Sequence, residues 1–195
     1  MPIAPAVETR RLTVADLELF PDDGKLRELA DGQVVEWDVT NFEHGSLAAF
    51  LSLLLGQFVR ERRLGRVVVA NALVKVQNSD YDARGGDVTF YRRSRIPGDR
   101  RAPATATAPD LVIEVLSPSD RATMMEAKVA DWLRAGVPLL WYVNPQTGMT
   151  TVYAGQAIRR VPPEETLDGG EVLPGFALRM ADVLRELEEQ DQGTA

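Results

Sequence analysis

Residues 109–120 read PDLVIEVLSPSD, and Leu111, Val112, Ile113 and Val115 mark a buried strand. Glu114 interrupts them. A carboxylate among such neighbours is costly unless something pairs with it. The next segment, SPSDRATMMEAKVADWLRAGVP, has helical spacing and stops at Gly136 and Pro138, with Thr123 and Glu126 as a capping box. Strands separated by helices in this way predict a mixed α/β sandwich, with a helix on either side of a central sheet.

On the N-terminal side, RRLTVADLELFPDDG predicts a short helix capped by Thr13 and closed by Pro21. KLRELADGQVVEWDV predicts a hairpin around Asp31-Gly32, a dipeptide suited to a type I′ turn. TNFEHGSLAAFLSLLLGQFVRERRLG is the clearest helix, with Leu47, Phe50, Leu51, Leu54 and Phe58 at helical spacing. Thr40 and Glu43 predict a capping box at its start. RVVVANALVKVQ, GGDVTFY, LLWYVNP, MTTVYAG and AIRRV read as strands, and RRSRIPGDRRAPATATAP as a loop. Residues 1–10 are expected to form an arm, 11–185 one domain, and 186–195 a tail of one or two fraying helical turns.

The 195 residues can bury a proper core, and 45% hydrophobic with 26% charged residues is ordinary for a globular protein. A net charge of −7 argues against a protein that coats nucleic acid, although a local basic cleft is compatible with it. With no cysteine, thiolate metal sites and disulfides are excluded, and one histidine, His44, excludes a multi-histidine site. No apolar run approaches the ~20 residues that cross a bilayer, so no membrane is expected and the cytoplasm is the expected compartment.

In GGDVTFY, alternation puts Asp87, Thr89 and Tyr91 on one face; in DLVIEV it does the same for Asp110, Val112 and Glu114. If these strands are neighbours, Asp87 and Glu114 meet. The alternative is that Asp87 caps a turn and Glu114 pairs with an arginine. On the second helix Met125, Val129, Trp132 and Leu133 form the buried stripe, Lys128 falls at its border, and Asp131 points to solvent. From the border a lysine can lie along apolar surface and put its ammonium into a cleft. Glu43 and His44 can both look inward from the start of the first long helix, where Glu43 is otherwise a cap partner and His44 a core-edge histidine. Hard oxygen donors of this kind suit Mg²⁺ or Mn²⁺, and with a nearby ammonium suit phosphodiester hydrolysis.

The succession LRELADGQVV, EHGSL, GDVTFY, PDLVIEVLSPSDR, KVADWLRAGVPLLWYVNP and LPGFALRMADVL resembles the Uma-two family of restriction-endonuclease-like proteins, over roughly Leu12 to Leu184. The resemblance implies the PD-(D/E)xK nuclease fold: a mixed sheet flanked by helices, with a divalent metal at one edge. Carried over, Asp87 takes the Asp position, Glu114 the second carboxylate, and Glu43 or His44 the helix-start position. The sequence departs from the pattern at Leu116, where the lysine is expected; Lys128 on the following helix takes its place. Asp110 lies four residues before Glu114, about 13 Å along a strand, and reads as a supporting residue. Ser117 and Ser119 read as structural.

Arg92, Arg93, Arg95, Arg100 and Arg101 follow the Asp87 strand, and Arg60, Arg62, Arg63 and Arg66 end the first long helix. Either group suits phosphate contacts, and the first is expected to clamp DNA beside the metal site; the alternative is a solvated loop. The expected function is a Mg²⁺- or Mn²⁺-dependent DNA endonuclease, with a homodimer as one assembly it could use. The alternative is a nuclease-fold module that binds DNA or a protein without cutting. A glycosidase-like carboxylate pair is disfavoured, since no aromatic sugar platform is evident.

Overall fold

Thr13 caps the first helix, α1 (Val14–Leu17), in a capping box: its hydroxyl accepts from the Asp16 amide, and the Asp16 carboxylate accepts from the Thr13 amide at 2.7 Å. The computed structural model describes residues 10–37, 40–117 and 122–192. Strands β1 (Leu26–Ala30) and β2 (Gln33–Trp37) form the expected hairpin, with Asp31 at φ 50° and Gly32 at φ 75°. That double left-handed pair is what a type I′ turn requires.

The first long helix, α2 (Phe42–Glu61), is capped by Asn41, whose side chain accepts from the His44 amide at 2.9 Å. The Thr40–Glu43 capping box is therefore corrected by one residue; asparagine caps more strongly than threonine. With 20 residues and an 18-residue window of mean hydropathy 1.3, α2 is long and apolar enough to cross a membrane by length and composition, contrary to the sequence expectation. It buries His44, Leu47, Phe50, Leu51, Leu55 and Val59 along one face, as a core helix does.

The chain continues through β3 (Gly65–Val69), β4 (Leu73–Lys75), β5 (Ala83–Gly85), β6 (Val88–Arg92), β7 (Ala104–Thr105) and β8 (Leu111–Val115). Helix α3 (Ala122–Arg134) is followed by β9 (Leu139–Val143), β10 (Thr150–Ala154), β11 (Ala157–Val161), β12 (Thr166–Asp168) and β13 (Ala177–Arg179). The last helix, α4 (Met180–Gln192), runs further than the one or two turns expected. Thr123 lies inside α3 rather than capping it.

Two mixed sheets result, one ordered β2-β1-β5-β4-β7 and the other β11-β10-β9-β8-β6-β3, with β12 and β13 as a separate pair. In the larger sheet β8 runs antiparallel to β6 and parallel to β9. One face carries Val88, Phe90, Leu111, Ile113 and Val115 into a core shared with α2. The opposite face carries Val112, Leu140 and Tyr142 against Trp132 of α3. The helix-sheet-helix arrangement follows from the alternation in LVIEV and VTFY.

Gly65 lets β3 close on β6, because a Cβ there would stand 1.9 Å from the Tyr91 carbonyl oxygen. Gly65→Ala is expected to cost about 2 kcal/mol. A thermal melt should show Tm lower by about 4 °C or more.

Candidate active site

The chain leaves the smaller sheet at the end of β5 and enters the larger one at β6. Asp87 sits at that passage, one residue before β6. Gly86 makes the passage sterically open, since a side chain there would press on Val112 at 2.9 Å and Thr89 at 3.0 Å. β6 and β8 pair Val88 with Ile113 and Thr89 with Val112. The next step of that ladder sets Asp87 beside Glu114, on the same face. Asp87 is held there by the Val115 amide, which donates to its Oδ2 at 2.8 Å.

Glu114 is 3% exposed. The Trp132 indole donates to its Oε1 at 2.8 Å, and the Lys128 ammonium to its Oε2 at 3.0 Å. Lys128 is itself buried, within 3.2 Å of a Glu28 oxygen and 4.8 Å above the Trp37 ring. Glu28, on β1, accepts from the Gly85 amide at 2.9 Å and from Arg84 at 3.1 Å. Arg84 in turn donates to Asp131 at 2.6 Å, and Arg134 pairs with Asp131 from the surface.

Asp131 is thus corrected: it is buried, not solvent-facing, while Leu133 of the expected stripe is 37% exposed. The reason is that α3 is covered twice. One side packs on the larger sheet, and the Lys128–Asp131 side meets the smaller sheet, which brings Glu28 and Arg84. Neither of those two residues stands out in the sequence. The usable signal for Glu28 is a lone acid inside LRELA, the same anomaly that marks Glu114.

Four carboxylates (Glu28, Asp87, Glu114, Asp131) face two buried cations, Arg84 and Lys128, with Arg134 as a third at the rim. The site is therefore short of positive charge. Burial pushes the Glu114 carboxyl up to about 8; Lys128 opposes this, and the charges of Asp87 and Glu28 add to it. Burial pulls Lys128 down, but Glu114, Glu28 and Asp87 more than reverse it, and its pKa ends above the ordinary lysine value. Lys128 is the charged member, and Glu114 is the group that keeps its proton up to about pH 8 despite it.

A stability consequence follows for metal-free protein. Glu114 rises from 4.5 unfolded to about 8 folded, so between those values the folded state binds more protons and stability falls as pH rises. The contribution is complete below pH 4.5 and gone above about 8. Melts in chelator should show this decline for the native chain, and its loss in Glu114→Gln.

Among the described residues no group of three or more His, Asp or Glu side chains could hold a metal. Mg²⁺ does not require one, since it is commonly held by one or two carboxylates with waters and substrate phosphates. Asp87 and Glu114 fit that donor set, and the excess of acid over base fits a divalent charge.

Of the two helix-start residues, α2 turns His44 inward, with Nε2 3.2 Å from Asp87 Oδ1, and leaves Glu43 exposed. The His44 Nδ1 is buried and without a hydrogen-bond partner among the described residues. Asp110 accepts from the Arg92 amide at 2.8 Å and from the Arg95 guanidinium at 3.1 Å, so it anchors the basic loop. The start of that loop is not beside Asp87. Asp87 precedes β6 and Arg92 ends it, about 17 Å away at strand rise. Arg93 follows at the same far end, whereas the loop then returns: Arg100 lines a pocket with Val68, Ala72 and Leu73, and Ala104 pairs with Leu73, itself opposite Gly85. Ser119 lies outside the described residues.

The family model Uma2, described as "Putative restriction endonuclease", matches residues 14–181. The chain belongs to this family. Among solved structures the Uma2 chain is similar to a protein from Anabaena variabilis ATCC 29413, described as "a putative nuclease belonging to DUF820". The two share 19% identity with a TM-score of 0.78, over 90% of this chain and 99% of that one. At that identity the likeness bears on the fold, which agrees with the mixed sheet and flanking helices expected from sequence. No curated protein matches the chain.

Proposed function

We propose that this Uma2 protein is an endonuclease that hydrolyses DNA phosphodiester bonds with Mg²⁺ or Mn²⁺. The reading rests on one observation above all: Asp87, Glu114 and Lys128 gather at one sheet end in a buried cluster that carries more acid than base. A divalent ion held by Asp87 and Glu114 would polarise the scissile phosphate and lower the pKa of a bound water. The Val115 amide keeps Asp87 oriented, and the Trp132 indole does the same for Glu114. Lys128, held charged by Glu28, would stabilise negative charge developing on the phosphate oxygens. Its burial under the β1–β2 hairpin also excludes water, which strengthens that interaction. His44 would steady the Asp87 carboxylate through its Nε2.

A non-cutting DNA-binding module is the second reading, favoured by the engagement of both Glu114 oxygens by Lys128 and Trp132. A plasmid-nicking assay with Mg²⁺ or Mn²⁺ against chelator separates the two. Metal-dependent nicking supports the endonuclease. Purified protein that binds DNA and leaves supercoiled plasmid intact with either ion supports the module.

A further inference from the structure

At the far end of α2, Arg60 and Arg63 meet Arg66 of β3 and Arg93 after β6 around an open groove of about 400 Å³. All four are exposed, and among the described residues none of their guanidinium groups has an ion-pair or hydrogen-bond partner. In a chain of net charge −7, four cations without a direct partner among the described residues gather around one concavity. Arg63 adds a second observation. It holds φ 54°, a left-handed conformation after the helix end that glycine adopts freely and arginine does not. Gly56 lines the same groove with open space in front of it. Arg92 and Arg95, by contrast, are engaged by Asp110.

We infer that Arg60, Arg63, Arg66 and Arg93 form a groove for the phosphate backbone of duplex DNA, remote from the cluster of Asp87, Glu114 and Lys128. The identity of the ligand as substrate rests on the proposed endonuclease reading. His44, in the first turn of α2, sits at Asp87, and Arg60 follows sixteen residues later, about 24 Å at helical rise. With about 17 Å along β6, the groove stands some 20 Å from the carboxylates. A duplex rises about 3.4 Å per base pair, so the groove grips backbone about six base pairs to one side of the site. Among the described residues no strand pairs with the outer edge of β3, where the loop carrying Ile96 and Pro103 lines a pocket with Arg66 and Val68.

The test is fluorescence anisotropy of a labelled duplex of about 20 base pairs in chelator, titrated with the native chain across about 50–200 mM salt. Each phosphate contact contributes about −0.9 to the slope of log K against log salt. The combined Arg60→Ala, Arg66→Ala, Arg93→Ala variant should flatten the slope by about 2.7 and weaken low-salt binding at least about tenfold. Gly56→Glu, which adds an acid where a Cβ meets nothing, should weaken binding in the same direction with native melting. Hydrolysis of bis(p-nitrophenyl) phosphate, too small to reach the groove, should not change in either variant. Native affinity and slope in both variants, or no duplex binding by the native chain, would overturn the groove. Binding through the groove by a chain that never nicks DNA leaves the inference standing and removes the nuclease reading. Nicking with groove variants that bind normally does the reverse.

Discussion

Asp87→Asn and Glu114→Gln are each expected to reduce metal-dependent plasmid nicking by about 100-fold or more, the usual cost of removing one group that stabilises transition-state charge. The substitutions are chosen to hold shape. An asparagine at position 87 keeps an oxygen for the Val115 amide, and a glutamine at position 114 keeps one for Trp132, so the hydrogen bonds at 2.8 Å can persist. What each removes is a full negative charge next to the site where the cation is proposed. Glu114→Gln leaves Lys128 with Glu28 as its remaining charged partner, so its melting temperature should fall by less than that of Lys128→Met while activity drops. A loss of rate far beyond what the small loss of stability could cause separates a catalytic role from a structural one. Should either variant nick at the native rate with Mg²⁺ and Mn²⁺, the proposed ligand set is wrong.

The β8 strand is legible because LVIEV carries its own contrast: apolar residues specify both faces and the lone acid has to be held. Lys128 is legible for a related reason, as a long cationic side chain next to a buried stripe. Asp131 is not, because a helical wheel assumes one covered face and α3 has two. Arg84 lies in a three-residue strand, too short to show any period. The basic loop misleads through sequence adjacency. Residues that directly follow a strand stand at its far end, so Arg92 and Arg93 are near Asp87 in number and distant from it in space. The same geometry turns the C-terminal arginines of α2 from a helix ending into one wall of a groove shared with Arg93.

Lys128→Met should cost about 3–5 kcal/mol, the range for removing one partner of a buried ion pair. At about 2–4 °C per kcal/mol for a chain of this size, Tm should drop by about 6–20 °C. Methionine fills a similar volume, so the loss is electrostatic: Glu28 and Glu114 then face each other across the space the ammonium held at 3.2 and 3.0 Å. Trp37 loses its cation as well. If that account is right, Glu28→Gln in the Lys128→Met background should recover part of the lost stability, because it removes one of the stranded acids. In the native background Glu28→Gln should instead destabilise, since Arg84 and Lys128 both lose their charged partner. That reversal of sign is a double-mutant cycle with a clear readout. A Lys128→Met protein melting within about 2 °C of the native chain, less than 1 kcal/mol of the expected loss, would mean that the ammonium is not holding these carboxylates together. The charge assignment of the whole cluster would fall with it.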